Sequence, residues 1–94
     1  MNVLEILKKH EADIRRKYQV KKIGVFGSFA RGEGKEGSDI DVLIEFEDGH
    51  KTFDNYMDLK YFLEDLFSRK VDLVTVKALK PQLKDIILQE VVYA

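Results

Sequence analysis

The feature that most constrains the fold is a glycine-rich segment, residues 28–38, between two short apolar runs. Its three glycines are Gly32, Gly34 and Gly37. These leave room for at most one helical turn before a loop. The apolar run 23–26 ends at Gly27 and predicts a buried strand. Residues 39–47 alternate apolar and polar side chains and predict a second strand. So short a connection lets the two strands pair in either direction.

Three longer segments predict helices. Residues 2–18 open with Asn2 and Glu5 in the arrangement of a capping pair, and their apolar residues recur at helical spacing. Residues 53–67 repeat aromatic and aliphatic side chains at the same spacing. Pro81 opens a last helix, where the missing N–H of proline costs nothing. The apolar stripe of that helix consists of Leu83, Ile86, Ile87 and Val91.

A third strand is predicted at residues 71–76. If the helical turn allowed within residues 28–38 is counted as a short helix, the elements alternate in the order α-β-α-β-α-β-α. This alternation indicates an α/β protein, with a small sheet of three or slightly more strands covered by helices. A full helix separates the second and third strands, and the right-handed crossover rule then favours their parallel pairing.

Length and composition exclude several classes of protein. Ninety-four residues suit one domain, which we expect to span 1–94. Sixteen basic and seventeen acidic residues leave a formal charge of −1, which argues against direct nucleic-acid binding. The lack of cysteine excludes disulfides and thiolate chemistry. No apolar run approaches the roughly 20 residues of a membrane helix. We therefore expect a cytoplasmic protein without a membrane association.

One set of residues indicates a functional site. It consists of Gly27 and Ser28, followed along the chain by Asp39 and Asp41. On an extended strand the two aspartates project from the same face, about 7 Å apart. Their carboxylates repel each other unless a cation lies between them, and Mg²⁺ prefers such oxygen ligands. A glycine and a serine just past a strand end offer N–H groups and a hydroxyl to a phosphate. Together the two halves describe a site for a metal-bound nucleoside triphosphate.

The four fixed positions would arise by chance in so short a chain with odds on the order of 10⁻³. In the alternative interpretation these residues have only a structural role. Asp39 is then a turn residue that opens the strand, and Asp41 lies on a solvated face. Leu43 shares the face of the aspartates and argues that this face is covered.

Residues 27–33 (GSFARGE) and 38–43 (SDIDVL) closely resemble the signature of the nucleotidyltransferase superfamily that includes DNA polymerase beta. Within it, the chain resembles the minimal nucleotidyltransferases (MNT), the antitoxins of HEPN/MNT toxin–antitoxin pairs. The resemblance implies a nucleotidyltransferase fold with a mixed sheet. It also implies nucleotide transfer from ATP, with two Mg²⁺ ions held by the strand carboxylates and the triphosphate held at Gly27 and Ser28.

The superfamily places a third carboxylate on the following strand, where this chain has Asp72. That residue would complete a second metal site or accept the proton of the attacking hydroxyl, unless it is simply a polar residue at a strand start. Arg31 would either contact triphosphate oxygens or extend into solvent. Phe29 stands where many relatives have an arginine.

The small size leaves no residues for a domain that grips the acceptor. The resemblance implies that a HEPN ribonuclease toxin presents it and is neutralised by AMP transfer onto a hydroxyl, in a hetero-oligomer. Two alternatives stay open: a binding module that only masks its partner, and an aminoglycoside-type small-molecule nucleotidyltransferase completed by a partner subunit.

Overall fold

The computed structural model of the chain describes residues 2–35 and 37–94. Three helices and four strands are present in this part of the chain: α1 Val3–Tyr18, β1 Val20–Phe26, β2 Ile40–Phe46, α2 Phe53–Phe67, β3 Val71–Thr75, α3 Pro81–Glu90 and β4 Val92–Tyr93. Two short 3₁₀ turns follow β1 and β3, at Gly27–Phe29 and Val76–Ala78.

The strands form one mixed sheet in the order β3-β2-β1-β4. Strand β2 runs parallel to β3, as the helical crossover predicts, and antiparallel to β1, a direction that the sequence left open. The predicted α/β class and mixed nucleotidyltransferase sheet are confirmed. Strand β1 begins at Val20, three residues before the apolar run, and β3 ends at Thr75 rather than at residue 76.

Both long helices begin at the residues that the sequence indicates. The Asn2 side chain accepts a hydrogen bond from the Glu5 N–H at 3.1 Å, and Thr52 accepts one from Asn55 at 3.2 Å. Such caps satisfy N–H groups that have no partner within the helix. Helices α1 and α2 pack on one face of the sheet. The core between the helices and the sheet includes these buried side chains: Leu7, Ile14, Ile23, Val25, Ile40, Val42, Ile44, Leu59, Leu63 and Phe67.

The opposite face of the sheet carries the candidate chemistry. Side chains alternate along a strand, so Asp41 and Leu43 lie on the face that α1 and α2 leave open. Leu43 is fully buried there, which confirms that this face is covered at its centre.

The C-terminal segment differs most from the prediction. Strand β4 follows α3 and pairs antiparallel with β1. The apolar stripe predicted for the last helix does not form a core contact: α3 has no buried residue, and Leu83 and Ile86 are 48% and 62% exposed. Val91 lies beyond the end of the helix. Leu83 and Ile86 therefore remain exposed, whereas Ile87 and Val91 are half-buried.

Strand β4 approaches β1 closely because residue 24 has no side chain. A Cβ atom at Gly24 would lie 2.8 Å from Cγ2 of Val91 and 2.9 Å from the carbonyl oxygen of Val92. None of the helices in the described ranges is long and apolar enough to cross a membrane.

Candidate active site

Three chain segments meet at one end of the sheet. Strand β1 ends there at Phe26, which pairs with Asp41 near the start of the antiparallel strand β2. Strand β3 starts at the same end, and Asp72 is the register partner of Asp41. Asp39 precedes the first residue of β2 and is exposed. The topology thus brings Asp39, Asp41 and Asp72, here called the carboxylate triad, to the end where the turn after β1 begins.

Gly27 starts that turn with φ = +72°, in the left-handed region that favours glycine. Its carbonyl oxygen accepts hydrogen bonds from the N–H groups of Ala30 and Arg31, at 3.1 and 3.2 Å. A Cβ atom at Gly27 would overlap Oδ2 of Asp41 and lie 3.0 Å from its Cγ. The glycine therefore allows the turn and the Asp41 carboxylate to touch. We call residues 27–29 the Gly27 turn; it contains Ser28.

The triad concentrates negative charge. Burial raises the pKa of Asp41 above its ordinary value, and the charges of Asp72 and Asp39 raise it further. Glu90 adds to this effect, whereas Arg31 opposes it. Mutual repulsion of this kind is relieved when a cation binds between the carboxylates.

The donor chemistry of the triad fits Mg²⁺. Within residues 2–35 and 37–94, no group of three or more His, Cys, Asp or Glu side chains converges closely enough to hold an ion. Mg²⁺ is usually bound by only one or two carboxylates, together with water and substrate phosphates. The adjacent carboxylates meet the first part of that requirement, and the N–H groups of the Gly27 turn beside them are of the kind that bind phosphate.

Arg31 follows the Gly27 turn and forms ion pairs with two carboxylates. Its Nε–H group lies 3.2 Å from Glu33, and Nη1 contacts Glu90. The hydrogen bonds to Glu90 and Glu33 raise the pKa of Arg31, which stays protonated. Sequence reasoning did not find Glu90, because it lies far along the chain, at the end of α3 just before β4 pairs with β1.

Phe29 packs on the loop that leads to the triad. Its ring lies where a Cβ of Gly34 would be, 2.5 Å from Cδ1, and the Arg69 guanidinium stacks 5.4 Å from the ring centre. Arg69 also donates hydrogen bonds to the carbonyl oxygens of Lys35, at 3.1 Å, and Ser38, at 3.3 Å. Arg69, which the sequence did not single out, thus ties the start of β3 to the segment that precedes Asp39.

A family comparison agrees with this geometry. The model of the nucleotidyltransferase domain matches residues 7–94. The chain belongs to this family. The predicted family and enzyme class, nucleotidyltransferase, are thereby confirmed.

Named relatives show more closely where the chain belongs within the nucleotidyltransferase family. The chain is 42% identical over 88 residues to the protein adenylyltransferase MntA of Thermococcus cleftensis, covering 94% of this chain and 88% of that one. It is 43% identical over 93 residues to a candidate protein adenylyltransferase of Methanocaldococcus jannaschii, with coverage of 97% and 93%. The chain thus matches proteins named as protein adenylyltransferases over most of their length.

Several solved structures share the fold of this chain. A candidate minimal nucleotidyltransferase superposes with a TM-score of 0.82 at 35% identity, covering 98% of this chain and 95% of that one. A toxin–antitoxin complex with AMP-PNP gives a TM-score of 0.74 at 20% identity, covering 92% and 70%. The tri-AMPylated HEPN toxin of Shewanella oneidensis with its MNT antitoxin gives 0.68 at 18%, covering 99% and 71%. At such low identity the last two matches establish the fold alone.

Proposed function

We propose that this nucleotidyltransferase transfers AMP from ATP, with Mg²⁺, to a hydroxyl group of a partner protein. The observation that carries the proposal is the contact between the Gly27 turn and the carboxylate triad at one end of the sheet. Phosphate-binding N–H groups and metal-binding carboxylates are then adjacent, as a metal-bound triphosphate requires. The name protein adenylyltransferase, borne by relatives more than 40% identical, supports AMP as the transferred group.

Each residue of the site has a role in the proposal. Asp39 and Asp41 would hold Mg²⁺, which when bound offsets the charge that develops on the triphosphate as pyrophosphate leaves. Gly27, Ser28 and Arg31 would bind and orient the triphosphate. The acceptor oxygen forms a bond to the α-phosphorus as the bond to the leaving pyrophosphate breaks. Asp72 would complete a second metal site or accept the hydroxyl proton.

The acceptor we propose is a HEPN toxin, with this chain as its antitoxin. One solved structure of the same fold holds a tri-AMPylated HEPN toxin beside an MNT antitoxin. The exposed apolar side chains Leu83 and Ile86 on α3 are consistent with protein binding. This exposure equally favours a second candidate function, a module that neutralises its partner by masking alone.

The decisive experiment uses ATP labelled at the α-phosphate, Mg²⁺ and the protein encoded beside this one as acceptor. The wild type, the Asp39→Asn/Asp41→Asn double variant and an Asp85→Asn control are compared. Asp85 is an exposed carboxylate on α3 outside the site. Label transferred by the wild type and the control, but not by the double variant, would support the proposal.

Other results would favour the alternatives. Tight binding of the neighbour by all three proteins, without label, would favour masking. Label that appears only on added aminoglycosides would favour a small-molecule nucleotidyltransferase. An active or unfolded double variant would contradict the assigned roles of Asp39 and Asp41.

A further inference from the structure

We propose that Glu90 is a positioning residue that orients the Arg31 guanidinium toward the triphosphate. This inference rests on the proposed function, because it gives Arg31 a nucleotide to bind. It assigns a role to the C-terminal end of α3, which lies far along the chain from the Gly27 turn.

The first argument is the contact itself. Arg31 is held by two carboxylates, Glu33 at its Nε and Glu90 at its Nη1. The Glu90 side chain is only 19% exposed in this pair, whereas that of Glu33 is 58% exposed. Ion pairs in contact with water are weak, so the more buried partner restrains the arginine more strongly.

The second argument is the rigid placement of Glu90. It is the last residue of α3, and the helix ends with a hydrogen bond from the Val91 N–H to the Ile87 carbonyl at 2.9 Å. Strand β4 follows at once: Val92 pairs with Val25, and the Ala94 N–H donates to the Ile23 carbonyl at 3.0 Å. Strand β1 also leads into the Gly27 turn, which Arg31 follows. The same strand therefore holds both β4, next to Glu90, and the turn that precedes Arg31.

The third argument is that Glu33 and Glu90 leave part of the Arg31 guanidinium unused. A guanidinium has five N–H donors in a planar fork. Within the described part of the chain, its hydrogen bonds go from Nε to Glu33 and from Nη1 to Glu90, and none involves Nη2. The Nη2 edge therefore stays available for phosphate oxygens, while the held edges restrict the side chain to one orientation. Such restriction lowers the entropy lost when the ligand binds.

The experiment measures the affinity for a non-hydrolysable ATP analogue with Mg²⁺ by calorimetry. The proteins are the wild type, Glu90→Gln, Arg31→Ala, the Arg31→Ala/Glu90→Gln double variant and the Asp85→Asn control. We expect Glu90→Gln to weaken binding about 3- to 10-fold, the range of one ordinary hydrogen bond, because the Arg31 side of the pair is in contact with water. If Glu90 acts through Arg31, the double variant should bind no more weakly than Arg31→Ala alone.

Two outcomes would overturn the inference: wild-type affinity in Glu90→Gln, or the same loss from Glu90→Gln when Arg31 is already alanine. The second would indicate a general structural role, and a lowered thermal midpoint would accompany it. A wild type that binds no nucleotide would contradict the proposed function and this inference together. A wild type that binds nucleotide but transfers none would contradict only the transfer, because the titrations still decide the role of Glu90.

Discussion

The Asp41 carboxylate occupies the space where a side chain at Gly27 would have to lie. The contact joins the turn after β1 to the start of β2, and residue 27 must also adopt a positive φ. Two independent restrictions therefore require glycine at this position. Gly32 has a similar φ of +75°, but a Cβ atom there would meet nothing within 4 Å.

The two glycines form a matched pair for mutation. We expect Gly27→Ala and Gly32→Ala each to lower the free energy of unfolding by about 1 kcal/mol because of the positive φ. Only Gly27→Ala should also displace Asp41, and an error of about 1 Å in a reacting group can lower the rate by roughly 100-fold. Urea unfolding and initial transfer rates test this. Equal loss of activity in the two variants would show that the Asp41 contact is unimportant.

The raised pKa of Asp41 predicts how stability depends on pH without metal. Its folded-state pKa lies above the unfolded value of about 3.9, so the native state holds the proton more tightly. The free energy of unfolding should then fall as pH rises from the unfolded pKa through the folded one. Asp41→Asn removes the repulsive charge and should raise the thermal midpoint at pH 7, with a smaller gain at pH 3. Midpoints measured in EDTA test this, and a lower midpoint for the variant at pH 7 would refute it.

Much of the site follows from local rules that a sequence reveals. The two-residue period of a strand places Asp41 and Leu43 on one face, and the crossover helix predicts the parallel pairing that sets Asp72 beside Asp41. The Asn2 cap and the bounds of α2 are likewise encoded within a few residues. The caps and the strand alternation need no knowledge of distant parts of the chain, and the crossover rule needs only the order of the elements.

Other features depend on contacts that no local pattern encodes. Strand β4 has only two residues, too few for a periodic signal, and it forms because Gly24 leaves room for it. The ion pair between Arg31 and Glu90 joins residues that are 59 positions apart in the chain. The apolar stripe of α3 predicts a buried face, yet Ile86 is exposed, because an apolar periodicity does not show whether its covering surface belongs to the same chain.

Removal of Mg²⁺ should affect the wild type and the triad variants differently. Because Mg²⁺ relieves repulsion between carboxylates, millimolar Mg²⁺ should raise the thermal midpoint of the wild type relative to EDTA. The Asp39→Asn/Asp41→Asn variant should show no such increase, whereas Asp85→Asn should respond like the wild type. Transfer in EDTA should fall at least about 100-fold, since the charge on the leaving pyrophosphate would be uncompensated. The same Mg²⁺-dependent increase in the double variant would place the ion elsewhere.

Gly24 controls the approach of β4, so its substitution should affect a site that it does not touch. A Cβ atom at Gly24 would press on the Val92 carbonyl oxygen, which cannot move without shifting β4. We expect Gly24→Ala to speed hydrogen exchange of the Ala94 amide by at least about 10-fold, because its bond to Ile23 opens. The variant should also weaken binding of the ATP analogue about 3- to 10-fold, as Glu90→Gln does, because both release Arg31. A chain that ends at Val91 should show the same loss, and wild-type affinity in that truncated chain would show that β4 does not position Glu90.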